Sequence, residues 1–73
     1  MKVRVSLNGF SERLEIAIFN SGLNLNEICR KAEISRSVLW GFRFNGVVPN
    51  AGTLVGLCKA LNVSADWLLG LKS

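Results

Sequence analysis

Residues 24–46 read Asn24-Leu25-Asn26-Glu27-Ile28-Cys29-Arg30-Lys31-Ala32-Glu33-Ile34-Ser35-Arg36-Ser37-Val38-Leu39-Trp40-Gly41-Phe42-Arg43-Phe44-Asn45-Gly46, and this stretch decides the fold. Asn24 is an N-cap residue followed three positions later by Glu27, the pattern of a capping box, and Ile28 and Ala32 recur at helical spacing. A short helix over 25–31 follows. Ser35 is a second N-cap, Leu39 and Phe42 sit one turn apart, and Asn45-Gly46 supplies a C-terminal stop, which predicts a helix over 36–44. Only about three residues separate the two helices, so the chain must turn sharply between them.

Working outward, the period stays helical on both sides. Upstream, Ser11 is expected to cap a helix beginning at Glu12, with Phe10 outside it as a hydrophobic staple. Leu14, Ala17 and Ile18 form its stripe until Ser21-Gly22 ends it. Downstream, residues 47–50 form a loop, since Pro49 fits no helix interior. Leu54, Leu57, Cys58 and Leu61 then mark a mostly buried helix over 51–61, and the Gly52/Gly56 spacing on it suggests close helix packing. Ser64 caps a last helix over 65–69, with Asp66 in its first turn and Gly70 at its end. Trp67 is expected in the core or on a dimer surface. The reading is all-α with five helices in one domain over 10–73. Residues 1–9 stand apart: Val3, Val5 and Leu7 alternate with Lys2, Arg4 and Ser6, which predicts a short strand closed by Asn8-Gly9, or else a basic arm. Ile16 and Phe19 fall beside the main stripe of the first helix, an apolar strip that Val3, Val5 and Leu7 of the same or a partner chain can cover.

Composition excludes several classes of function. Seventy-three residues hold one domain. No run approaches the ~18 apolar residues of a membrane span, and the N-terminus lacks the form of a signal peptide, so a cytoplasmic location is the expectation. There is no His and no Tyr, and the five carboxylates are scattered, so no general base near neutral pH suggests itself and an enzyme is not expected. Two cysteines without histidine cannot furnish a structural zinc site; Cys29 and Cys58 lie in apolar helical patterns and read as buried, reduced thiols. No cofactor, metal or small-molecule substrate is indicated. A chain this small buries a modest core, so a homodimer is expected. The net charge of +4 favours an anionic partner.

Two short helices joined by a tight turn inside a basic five-helix domain are the layout of a helix-turn-helix DNA reader. The residues add a likeness to that geometry. Residues 11–14, 22–24, 27–31, 34–39, 49–54 and above all 59–70 (Lys59-Ala60-Leu61-Asn62-Val63-Ser64-Ala65-Asp66-Trp67-Leu68-Leu69-Gly70) resemble the successive blocks of the phage-repressor/Cro (XRE-like) helix-turn-helix family. The resemblance spans residues 10–70. It implies a lambda-repressor-like domain that binds duplex DNA sequence-specifically, as a two-fold dimer on a palindromic operator, to regulate transcription. Carried over by position, the DNA-contacting set is Asn24, Asn26, Ser35, Arg36, Ser37, Trp40, Gly41, Arg43 and Asn45. Arg36 can pair bidentately with guanine and Ser37 can serve several bases. Asn24, the first N–H groups of its helix, and Asn45 would hold phosphates. Lys2 and Arg4 would either pair as a strand or wrap the DNA as an arm.

Three positions depart from the family pattern. Leu25 stands where many members have a Gln that contacts a phosphate. Ile18 and Arg43 stand where many members bury an Arg–Glu pair, so Arg43 is expected to turn outward to a phosphate. The strip Ser37, Trp40, Gly41 and Phe44 is largely apolar, whereas base edges are hydrogen-bonding arrays. Gly41 suggests a close backbone approach. Trp40 is open to a DNA, a protein or an internal contact, and Phe44 is expected to fold onto Val47-Val48. A protein-docking module of antirepressor or antitoxin type, using the Trp40/Phe44 face, is the competing expectation.

Overall fold

The computed structural model of the chain describes residues 9–71. The strand or arm expected over residues 1–9 thus lies, all but Gly9, outside the described residues. Those residues form five α-helices and no strand: α1 (Phe10–Ser21), α2 (Leu25–Ala32), α3 (Arg36–Phe44), α4 (Ala51–Leu61) and α5 (Ala65–Leu68). None is long and apolar enough to cross a membrane.

Four of the five expected helix starts are exact and one is corrected. Asn24 Oδ1 accepts from the Glu27 N–H at 2.8 Å while the Asn24 N–H donates to Glu27 Oε1 at 3.0 Å, the full capping box. Ser35 Oγ accepts from the Val38 N–H at 3.1 Å. α1, however, starts at Phe10 on a left-handed Gly9 (φ 92°), with no side-chain cap, so Ser11 is inside the helix and Phe10 is no external staple. Burial explains the difference. Phe10 is 4% exposed in the core, and burying such a ring is worth about 1.5–3 kcal/mol against about 1 kcal/mol for a cap bond.

Helix ends follow from left-handed residues. Gly22 (φ 73°) closes α1, and Glu33 and Asn62, both at φ 59°, close α2 and α4. α2 therefore runs one residue further than the expected 31. Glu33 N–H donates to Arg30 O and Ile34 N–H to Cys29 O, so the strained Glu33 backbone is tied on both sides of the sharp turn into α3. α4 is capped by Asn50, whose Oδ1 accepts from Thr53 N–H at 2.9 Å, and α5 by Ser64. α5 ends one residue short of the expected 69, with Leu69 as its cap.

Every helix contributes to one core: Phe10, Leu14 and Ala17 from α1, Ile28 from α2, Leu39 and Phe42 from α3, Leu57 and Leu61 from α4, Leu68 from α5. α4 is less enclosed than its sequence suggested. Leu57 and Leu61 are buried, Leu54 and Cys58 only partly, and Val55 is half exposed. Trp67 packs on the core rim, where the Arg13 guanidinium lies over its ring at 5.3 Å and donates to its carbonyl at 3.1 Å. Both cysteines are free, Cys29 buried and Cys58 partly so. Burial pushes both thiols above their ordinary value, the Arg36 charge partly opposing this at Cys29, so both stay protonated at neutral pH.

The two glycines of α4 behave differently. A Cβ at Gly56 would stand 3.2 Å from the Ala32 carbonyl and 3.5 Å from its Cα, so α2 and α4 touch there backbone to side; at Gly52 the nearest atom is Asn50 Oδ1 at 3.7 Å, so no close packing occurs. Gly52→Ala is expected to stabilise by about 0.5–1 kcal/mol through helix propensity. Gly56→Ala is expected to destabilise by ~1 kcal/mol, because the obstructing atoms are backbone and cannot swing aside. Urea titration of the two variants reads the opposite signs.

Candidate nucleic-acid interface

α3 is held from below and open above. Leu39 and Phe42 anchor it in the core, while Arg36, Ser37, Val38, Trp40 and Phe44 are exposed. Helical geometry puts Arg36, Ser37, Trp40 and Phe44 along one outward strip. Ser35 is exposed but its hydroxyl is occupied as the α3 cap. Asn45 is exposed at the far end, its N–H donating to Gly41 O.

The start of the strip is polar and pre-positioned. Arg36 Nη1 donates to Asn26 Oδ1 at 2.8 Å, across the turn from α2 to α3. Sequence reasoning set both residues near DNA without seeing that they touch. Asn24 is a partial correction. The capping box uses the Asn24 and Glu27 backbone N–H groups, and the Glu27 carboxylate sits on the same helix end, so the phosphate grip expected there loses two backbone donors and keeps the Asn24 side-chain NH2.

Arg43 is a full correction. It does not turn outward: Nε donates to Glu15 Oε2 at 2.6 Å and Nη2 to Glu15 Oε1 at 3.1 Å, a bidentate bridge between α3 and α1 with both side chains partly shielded. An α1–α3 ion pair is therefore present, carried on α1 by Glu15, about one turn before Ile18, with signs opposite to those of the pair in the family the sequence resembles. The complementary charge at position 15 is the signal in the sequence for this pairing. Glu15→Ala is expected to cost about 1 kcal/mol, and the double exchange Glu15→Arg with Arg43→Glu to recover part of it; a double-mutant cycle by thermal melting tests the coupling.

The far half of the strip is aromatic. Trp40 is 53% and Phe44 56% exposed, with ring centroids 5.4 Å apart at 58°, and the Arg43 guanidinium lies 4.6 Å from the Phe44 ring. Phe44 therefore does not fold onto Val47-Val48 as expected. Val47 instead covers Gly41, where a Cβ would meet Val47 Cγ2 at 3.3 Å, and its N–H donates to Gly41 O at 3.2 Å. Gly41 is buried, which removes it from the exposed strip. The close approach its sequence suggested is real, and its partner is the loop after α3.

Between α2 and α3 lies a hollow of about 230 Å³ lined by Leu25, Arg36, Ser37, Leu39, Trp40 and Arg43. Two departures from the family pattern, Leu25 and Trp40, thus share one cavity.

Charge is unevenly spread. Lys2, Arg4 and Lys72 lie outside the described residues, which leaves six cations and five carboxylates on the described body. With Arg43 neutralised, Arg36 is the cation the strip presents. Among the described residues no cluster of three or more His, Cys, Asp or Glu side chains is placed to hold a metal. Comparison of the chain with family models, curated proteins and solved structures gives no match.

Proposed function

We propose that this chain is a non-catalytic, sequence-specific binder of double-stranded DNA, a cytoplasmic transcriptional regulator of repressor type with the lambda-repressor-like arrangement of helices. α3 enters the major groove, and a homodimer meets a palindromic operator. The observation that carries the reading is the α2–turn–α3 unit: Leu39 and Phe42 fix α3 to the core while Arg36, Ser37, Trp40 and Phe44 stand free on its outer side. A helix so presented has the width the major groove admits, and its N-terminal residues are those that reach base edges in helix-turn-helix proteins. Arg36 and Ser37 at that end have the chemistry for it. The basic Lys2 and Arg4 add to phosphate attraction.

The test is a fluorescence-anisotropy titration against a randomised duplex pool at two salt concentrations, with sequencing of the bound fraction. Enrichment of a palindrome with half-sites about one helical turn apart, with affinity falling as salt rises, supports the reading. No duplex binding at low salt overturns it.

A second reading has its own observation. The exposed Trp40–Phe44 pair and the loss of Arg43 to Glu15 suit a protein-docking face of antirepressor or antitoxin type. Under it, Trp40→Ala abolishes a stoichiometric protein complex; under the first it alters DNA affinity or specificity.

A further inference from the structure

Beyond Ser37 the outward strip of α3 offers two aromatic side chains and a single polar hydrogen, the indole N–H of Trp40. The edges of adenine, guanine and cytosine in the major groove are donor and acceptor arrays; covering one with aromatic carbon strips its water and returns no hydrogen bond. Thymine alone presents an apolar feature, its C5-methyl group. The hollow beside Trp40 suits that feature: Leu25 and Leu39 supply aliphatic carbon and Trp40 an aromatic wall, Arg36 and Ser37 add polar groups, and the sixth lining residue, Arg43, has its charge engaged by Glu15.

The wall is also fixed in advance. Trp40 rests on Phe44, Phe44 lies against the Arg43 guanidinium, and Arg43 is clamped by two bonds to Glu15 on α1. A side chain already immobilised loses less freedom on binding. Leu25 has a reason to be apolar in this arrangement, since a polar side chain there would bring its own water into the hollow.

We infer that the Leu25–Trp40 hollow reads the C5-methyl group of thymine. This rests on the placement of α3 in the major groove. Trp40 follows Arg36 by four residues, about 6 Å along the helix axis, or roughly two base-pair steps of ~3.4 Å. Each half-site therefore carries a thymine within about two base pairs of the base met by Arg36.

Replacing thymine by uracil removes the methyl group and leaves every hydrogen-bonding edge unchanged, so the substitution is made in the DNA and the protein stays intact. The best duplex enriched from the randomised pool is remade with uracil at each thymine in turn. At the position facing the hollow, affinity is expected to fall about 4-fold per half-site, the value of one buried methyl-sized group. Trp40→Ala, on an exposed position, is expected to bind the thymine and uracil duplexes equally while keeping its helical melt. A site whose affinity is unchanged by uracil at every position overturns the methyl reading and leaves groove binding standing. Failure to bind any duplex overturns both.

Discussion

Leu57→Ala is expected to lower the melting temperature of the chain by roughly 8–40 °C. Leu57 is fully enclosed (0% exposed), on α4 in the core to which all five helices contribute. Truncating such a leucine removes buried carbon and leaves a cavity, at about 2–5 kcal/mol. A domain of this length has roughly 4–11 kcal/mol in total, so the loss takes much of the margin, and melting falls by some 4–8 °C per kcal/mol. Far-UV circular dichroism against temperature reads it directly. Val55→Ala, two residues away on the exposed side of α4, is the control and is expected to shift the melt by less than about 0.5 kcal/mol. Equal effects at 55 and 57 would mean that α4 is not docked as described.

The second large effect concerns recognition. On the proposed function, Arg36→Ala is expected to reduce discrimination among duplex sequences by about 1–3 kcal/mol, up to roughly 100-fold, through loss of the proposed bidentate contact to one base. Binding to random DNA should fall much less, since one charge among several is removed. The partner Asn26 allows a finer distinction. Arg36 is held by Asn26 Oδ1 in the free protein, so Asn26→Ala releases the guanidinium without removing it and is expected to produce only a small loss of specificity. Arg43→Ala does not test a phosphate contact. Its guanidinium belongs to the Glu15 bridge, and its removal acts on stability first. Competition titrations of the enriched duplex against random duplex separate these outcomes. Unchanged discrimination in Arg36→Ala would mean that Arg36 does not read a base.

How much of this was legible beforehand depends on how local the cause is. Caps at Asn24, Ser35 and Ser64 were readable because a side-chain oxygen and an N–H three residues on settle the geometry within one turn. α1 was misplaced at its start because the deciding term was the burial of Phe10, which depends on helices far away in sequence. The same holds for the exposed strip. Its periodicity put Ser37, Trp40, Gly41 and Phe44 on the face opposite Leu39 and Phe42, and Ser37, Trp40 and Phe44 are exposed there. Gly41 went wrong because the loop that covers it, through Val47, has no period to read. Arg43 went wrong because its partner lies 28 residues away.

The exchanged signs of the Glu15–Arg43 bridge limit the modularity of α3. Under the proposed function α3 is a recognition helix, and such helices invite transplantation because the residues that choose a sequence lie on one short segment. Residues 36–44 grafted onto a host whose first helix presents an arginine at the facing position would bring two guanidinium groups together in a partly shielded site. A portable cassette from this protein is therefore discontinuous: α3 travels intact only if a carboxylate travels with it on α1.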